Sequence, residues 1–251
     1  STQDQTAVML DFDDTLFPTT WLCNKQWFRE WLCDTESPPV IDEEDEKMLG
    51  EIDRASSNMV CECGRFGHIT LVTLATRPWV SLCLATFLPQ LEEASSYNEV
   101  DVMYAREMKG ARTHVRQKLK AMKIALEQFY KSGTWKNFIS FGGGPAERDA
   151  LQDLAFSHIN PEDIYTGEQK QFRVKTIKML EEPTITELCA ELETLGSWAF
   201  HIIQADQDVD VELDSGMEGL QRLMSFFESL DVLSAVTSTA DDEDDKNDTD
   251  P

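Results

Sequence analysis

The chain has few cysteines, no long hydrophobic run and few basic residues. Six cysteines in 251 residues are too few for a disulfide-rich scaffold. Cys61 and Cys63 form the closest pair, and the second pair that a zinc site needs is missing. No apolar run approaches the ~18 residues of a membrane span, and the N-terminal residues lack the basic and apolar regions of a signal peptide. We therefore expect a cytoplasmic protein with reduced thiols.

Basic residues are outnumbered by acidic ones, with 22 Lys and Arg against 47 Asp and Glu, which gives a formal net charge of -25. A surface of that sign repels nucleic acids and anionic membranes, so we predict neither as a partner. The acids are most concentrated in DDEDDKNDTDP (241–251), which has no apolar residue except Pro251. Such a segment cannot bury enough surface to fold, and residues 235–251 are predicted to be a disordered acidic tail.

Short apolar runs alternate with helical patterns along most of the chain. This alternation predicts an α/β fold: a Rossmann-like parallel sheet with helices on both faces. Residues 17–67 instead carry two helical patterns separated by SPPV (37–40), so we predict a small cap-like helical insertion after the first strand. The core domain would then comprise residues 1–16 and 68–234. The predicted strands are 7–10, 69–75, 100–105, 137–141 and 172–180, and the predicted core helices are 78–91, 111–130, 142–156, 184–203 and 217–233.

Polar residues follow the predicted strands at their carboxyl ends. Asp11 and Asp13 follow the first strand, Thr73 ends the second, and Gly142–Gly144 follow the fourth. Ligands of open parallel sheets bind beyond this edge, so we expect these groups to converge on one crevice. Two carboxylates at i and i+2 suit either a nucleophile with a proton donor or a cation site.

Four segments in order resemble the motifs of haloacid dehalogenase-like (HAD) hydrolases. AVMLDFDDTLFPT (7–19) resembles the first motif, and ITLVTLATRPWV (69–80) resembles the second. KAMKIALEQF (120–129) resembles the segment that carries the lysine of the third motif, and NFISFGGGPAERDAL (137–151) resembles the fourth. The later run FRVKTIKMLEEPTITEL (172–188) resembles a HAD-like group of plants and protists.

The resemblance implies a phosphoryl-transfer enzyme that forms an aspartyl-phosphate. Asp11 would be the nucleophile, and Asp13 would protonate the leaving oxygen and then deprotonate the attacking water. Thr73 would hydrogen-bond the phosphoryl group, and Lys123 would neutralise its charge. Nine basic residues lie between positions 106 and 136, so several could serve in place of Lys123.

The same resemblance implies further contacts to substrate and metal. Thr15 would contact the phosphorylated substrate, and Arg77 is a further candidate for that contact because it directly follows the second strand. A Mg²⁺ ion would be held by the Asp11 carboxylate, the Asp13 backbone carbonyl and an acid of the fourth motif, here Glu147. Because a carboxylate attacks a phosphate dianion poorly, a cation and a lysine would be needed to cancel charge.

The fourth motif departs from the family pattern at Gly143, where relatives have a metal-binding Asp. We expect weak Mg²⁺ binding through Glu147, and a backbone with positive φ at Gly143. The main prediction is a Mg²⁺-dependent phosphate-monoester hydrolase, and the alternative is an impaired HAD-like pseudoenzyme that binds a phospho-ligand or a protein. A third hypothesis takes GGGPAERDAL (142–151) as a nucleotide-cradling loop, although the patterns G-x-G-x-x-G and G-x-x-x-x-G-K-[ST] are both absent. Substrate and oligomeric state stay open.

Overall fold

One parallel sheet organises the molecule. The structure is a computed structural model that describes residues 5–129, 136–157 and 172–213, together with residues 225, 226 and 228. In this part of the chain six strands pair in the order β3-β2-β1-β4-β5-β6, and every neighbouring pair is parallel. The strands are β1 (Thr6–Leu10), β2 (His68–Thr73), β3 (Asp101–Tyr104), β4 (Asn137–Gly142), β5 (Arg173–Lys178) and β6 (Val209–Glu212). This Rossmann-like α/β arrangement confirms the predicted fold class.

The central strands are buried on both faces, as parallel sheets covered by helices require. All residues of β1 and β4 are buried. Val8 of β1 lies in register with Ile69 of β2 on one side and Ile139 of β4 on the other. Because successive side chains of a strand point to opposite faces, Val8 and Leu10 join one hydrophobic core while Ala7 and Met9 join the other.

Eight α-helices are described, together with a 3₁₀ helix at Ala105–Glu107. The α-helices are α1 (Thr19–Cys23), α2 (Gln26–Trp31), α3 (Glu43–Gly64), α4 (Trp79–Phe87), α5 (Pro89–Tyr97), α6 (His114–Phe129), α7 (Pro145–Ser157) and α8 (Ile185–Gln204). The helix predicted over 78–91 is two helices that meet at Leu88, because a residue before proline is disfavoured in the α conformation. None of the helices described is long and apolar enough to cross a membrane.

The helices divide between the two faces of the sheet. The core beneath α6 and α7 is the smaller one, and it includes Ala121 and Leu151. The larger core includes Ile52 of α3, Leu91 of α5 and Leu192 of α8. Helix α3, which belongs to the 17–67 segment, packs against both α5 and α8. It therefore covers the sheet alongside the other helices.

One strand was not predicted, and two predicted segments cannot be compared with the structure. Strand β6 was not predicted, because its sequence, VDVE, is acidic and short. The helix predicted over 217–233 lies mostly outside the described residues, and the predicted acidic tail (235–251) lies wholly outside them.

Candidate active site

The candidate site lies at the carboxyl edge of the sheet, where the strand order reverses between β1 and β4. Parallel sheets form their ligand crevices at such a switch point. Asp11 directly follows β1, and its backbone N–H donates to the Phe141 carbonyl of β4 at 3.0 Å. The Gly142–Gly144 turn, which leads into α7, therefore lies beside Asp11.

Lys118 of α6 joins the two sides of this crevice. Its side chain is completely buried, and its Nζ donates to Asp11 Oδ1 at 2.7 Å and to Glu147 Oε1 at 2.6 Å. A third bond goes to the Val72 carbonyl of β2. Carboxylates from β1 and α7 thus share one ammonium.

The charges of Lys118, Asp11 and Glu147 do not balance. One ammonium neutralises only one of the two carboxylates, the buried Glu147 or the partly buried Asp11, and an unpaired buried charge is costly. Burial raises the pKa of Asp11 to about 7, although the Lys118 charge opposes that shift. For Lys118, burial lowers the pKa, but the nearby carboxylates of Asp11 and Glu147 outweigh burial, so the pKa is raised overall. Lys118 is therefore charged near neutral pH, and the Asp11 carboxyl keeps its proton to a higher pH than an exposed Asp does.

Three glycines make the room that the site needs. A Cβ at Gly142 would lie 2.8 Å from Glu147 Cγ, and one at Gly144 would lie 3.0 Å from Glu147 Oε2. The Glu147 carboxylate can therefore lie across the turn. It is buried, and its Oε2 has no hydrogen-bond partner among the residues described.

Gly143 is needed for a different contact. A Cβ there would lie 2.8 Å from the backbone oxygen of Leu180, which follows β5. The expected positive φ at Gly143 is wrong, because Gly110 is the glycine with positive φ in the described part of the chain. Close approach of the neighbouring loop explains Gly143 instead.

Asp13 accepts hydrogen bonds from three side chains. Thr19 Oγ1 donates to Oδ1 at 2.7 Å, and the indole Nε1 of Trp79 donates to the same oxygen at 2.8 Å. Thr73 Oγ1 donates to Oδ2 at 3.1 Å. The Asp13 carboxylate is thereby oriented by residues of α1, α4 and β2.

The remaining predicted site residues have varied surroundings. Thr73 uses its proton for Asp13 and accepts from the Ala75 backbone N–H, so its hydroxyl supports Asp13. Thr15 is buried at the site, and its hydroxyl has no hydrogen-bond partner among the described residues. The Arg77 guanidinium pairs with Glu107 and lies 4.7 Å from the centre of the Tyr104 ring.

Asp14 binds Thr20 in the first turn of α1. Its φ is 52°, and its two carboxylate oxygens accept from the backbone N–H and the hydroxyl of Thr20 at 2.8 and 2.6 Å. Burial raises the pKa of Asp14 despite these bonds. The carboxylate of Asp14 therefore stabilises the start of α1 through Thr20.

The lysine at the site is Lys118, whereas the predicted residue, Lys123, is only half-buried on the same helix. A signal for Lys118 exists in the sequence. It precedes Ala121, Met122 and Ala125, which are buried, by three, four and seven residues. Those spacings put a lysine inside the apolar stripe of an amphipathic helix. A buried lysine needs a buried acid.

Thr19 and Trp79 were also missed. Both begin helices, and nothing in their sequence pattern indicates that they contact Asp13. Only the packing of α1 and α4 against the end of β1 shows it.

The predicted metal ligands are not gathered into one cluster. In the described part of the chain, no group of three His, Cys, Asp or Glu side chains is placed to hold a metal. Asp11 and Glu147 both contact Lys118, while the Asp13 carboxylate is turned toward its three donors. The donor chemistry nevertheless fits Mg²⁺, because the ion takes oxygen ligands and needs only one or two carboxylates. Glu147 Oε2 is such an oxygen, and it lacks a partner in the described chain.

Comparison of the chain with protein-family models, with curated proteins and with solved structures found no match. The resemblance to HAD hydrolases is therefore a prediction from the motifs, and the case for function rests on the geometry of the site.

Proposed function

We propose that the protein is a Mg²⁺-dependent phosphate-monoester hydrolase of HAD type that works through an aspartyl-phosphate. The observation that carries this proposal is the contact between Lys118 and Asp11 at the switch point of the sheet. An acid at the end of a central strand, beside a buried ammonium, is suited to attack a bound phosphate.

In the first half of the reaction, an oxygen of the Asp11 carboxylate attacks phosphorus. The bond from phosphorus to the leaving oxygen breaks, and Asp13 gives its proton to that oxygen. Lys118 takes the charge-neutralising part predicted for Lys123, because its ammonium reaches Asp11 Oδ1. In the second half, water attacks the aspartyl-phosphate, Asp13 accepts a proton of that water, and inorganic phosphate leaves with Asp11 regenerated.

Four acids surround this centre: Asp11, Asp13, Asp14 and Glu147, with Lys118 as their buried cation. This local excess of negative charge opposes the entry of a phosphate dianion unless a further cation is present. Mg²⁺, when bound, supplies charge neutralisation and polarises the phosphoryl oxygens. Asp11, Glu147 and the Asp13 backbone carbonyl would hold it.

A second candidate function is binding of a phospho-ligand or a protein without turnover. The observation in its favour is the missing carboxylate at Gly143, where a Cβ has no room. Loss of a metal ligand leaves a site that can accept a phosphate group but lacks the charge to activate it.

An acid-quench experiment separates the two functions. The wild-type protein and Asp11→Asn are incubated with p-nitrophenyl phosphate and Mg²⁺, quenched in acid and weighed by intact-protein mass spectrometry. We expect slow release of nitrophenol and a phosphoryl adduct on the wild type, and neither on the Asn variant. The control is Asp34→Asn, since Asp34 is an exposed residue bonded to Ser37 away from the site. Activity that persists in Asp11→Asn would overturn the assignment of the nucleophile.

A further inference from the structure

We propose that Trp79 and Thr19 are positioning residues that make Oδ2 of Asp13 the oxygen that transfers the proton. This inference rests on the proposed function, in which Asp13 is the acid and base. It assigns to one atom a role that the motif alone assigns to a whole carboxylate.

The hydrogen bonds at Asp13 distinguish its two oxygens. Each carboxylate oxygen offers about two lone-pair positions. Thr19 and Trp79 occupy both positions of Oδ1, at 2.7 and 2.8 Å. Oδ2 accepts only the longer bond from Thr73, at 3.1 Å, among the described residues. Of the two carboxylate oxygens, only Oδ2 is therefore able to exchange a proton with a leaving oxygen or an attacking water.

The two donors on Oδ1 are held by packing. The Trp79 ring stands nearly perpendicular to Phe17 at 6.0 Å between centroids, and it meets Phe28 at 6.4 Å in a similar edge contact. The backbone N–H of Thr19 donates to the Phe17 carbonyl at 2.8 Å. Because both donors pack around Phe17, Oδ1 stays fixed while Oδ2 exchanges protons.

This division suits both halves of the reaction. When the bond to the leaving oxygen breaks, the electron pair stays on that oxygen, which takes the proton from Oδ2. When water attacks, Oδ2 takes one proton from it. The bonds from Thr19 and Trp79 to Oδ1 persist throughout. Only the Thr73 hydroxyl has to turn away from Oδ2.

Two substrates with different leaving groups test the assignment. Phenyl phosphate has a basic leaving group that needs a proton, whereas 2,4-dinitrophenyl phosphate has one that does not. Trp79→Phe keeps an aromatic ring against Phe17 and Phe28 but removes the donor. We expect its kcat/KM for phenyl phosphate to fall at least about 10-fold more than its kcat/KM for the dinitrophenyl ester, because general acid catalysis contributes about 10²–10⁴-fold. The ratio kcat/KM reports the steps up to release of the leaving group, where Asp13 gives its proton, and excludes the hydrolysis of the aspartyl-phosphate that both substrates share.

The chain offers a matched control in Trp27→Phe. The Trp27 indole donates to the Asp45 carboxylate at 2.7 Å and also packs edge-on against Phe28, so the variant loses the same kind of bond away from Asp13. We expect it to affect both substrates equally. Thr19→Val should repeat the selective loss, and Thr19→Ser, which keeps the hydroxyl, should restore it.

The outcomes separate the inference from the proposed function. An equal loss of kcat/KM on both substrates in Trp79→Phe and Thr19→Val, or no loss at all, would overturn the positioning role while leaving the hydrolase proposal standing. If the wild type hydrolyses neither ester and forms no phosphoryl adduct, the hydrolase proposal fails and the inference falls with it.

Discussion

Lys118 holds two acids that would otherwise repel each other inside the protein. Its ammonium is fully buried between Asp11 and Glu147. Removing one member of a buried ion pair leaves uncompensated charge and costs about 3–5 kcal/mol. Loss of Lys118 should therefore cost more than loss of Lys123, which lies on the same helix.

We expect Lys118→Met to abolish hydrolysis and to lower the free energy of unfolding by about 3–5 kcal/mol. Lys123→Met, at a half-buried position on the same helix, should change stability by less than about 1 kcal/mol and leave the rate nearly intact. Urea denaturation and steady-state rates on both variants provide the measurement. A reversed order of effects would mean that Lys123 is the site lysine.

Asp11 should make stability depend on pH. Its pKa is raised from 3.8 to about 7, so between these values the folded state keeps a proton that the unfolded state releases. The free energy of unfolding should therefore fall as pH rises from about 4 to about 7. In Asp11→Asn this fall should be smaller by about 4 kcal/mol, because each pKa unit corresponds to about 1.4 kcal/mol. Urea denaturation at several pH values provides the measurement.

Glu191 provides the control for that experiment. Burial also raises its pKa to about 7, so Glu191→Gln should remove a separate part of the same slope. If Asp11→Asn shows the wild-type slope, the Asp11 carboxyl titrates normally in the folded protein.

The motif residues could be located from the sequence because each follows a predictable strand. Asp11, Asp13 and Thr73 lie at the ends of β1 and β2, and the structure brings them together. Nine basic residues lie between positions 106 and 136, and Lys118 could be chosen among them only by knowing which face of α6 packs against the sheet. Trp79 depends on how two helices pack, which no local pattern contains.

At the scale of elements, apolar content decided which strands could be predicted. Strand β3 lies at an edge and is mostly not buried, but its sequence, DVMY, is largely apolar and it was predicted. Strands β1, β2 and β4 are almost wholly buried and read as apolar runs. Strand β6 lies at the edge, and its acids pair with bases of other elements. Arg148 contacts Asp210 and Glu212, and Lys178 contacts Glu212. Such a strand lacks the apolar signal, because long-range ion pairs and a single neighbour, β5, hold it in place.

The Gly142–Gly144 turn lies so close to the loop after β5 that a side chain at position 143 should destabilise the protein. A Cβ there meets the Leu180 backbone oxygen at 2.8 Å, and a backbone atom cannot turn aside as a side chain can. We expect Gly143→Ala to destabilise the protein by about 1–3 kcal/mol, measured by thermal and urea unfolding.

Gly143→Asp should suffer the same steric loss, so Gly143→Ala is its matched control for metal binding. Any gain in Mg²⁺ affinity of the Asp variant over the Ala variant, measured by calorimetry, reports the added carboxylate alone. Equal stability of Gly143→Ala and the wild type would show that the loop after β5 gives way easily.

At the scale of the whole molecule, the net charge of -25 should weaken the folded state through self-repulsion. Raising NaCl from about 0.01 M to about 0.15 M shortens the Debye length from about 30 Å to about 8 Å. We expect the melting temperature to rise by a few degrees over this range. Sucrose at equal osmolality is the control, since it leaves charges unscreened. A melting temperature that falls with salt would mean that attractive ion pairs outweigh the repulsion.

The glycine turn also limits the routes by which this chain can change. The three glycines face two obstacles: Glu147 for Gly142 and Gly144, and the Leu180 oxygen for Gly143. A single replacement at Gly143 therefore meets backbone before it can offer a new ligand. The Leu180 N–H is in turn bonded to Glu191 of α8 at 2.9 Å, which ties the obstructing loop to a helix on the larger core. A lineage that acquires an acid at position 143 must first acquire a mutation that loosens the loop after β5. The loop mutation therefore has to precede the mutation at position 143.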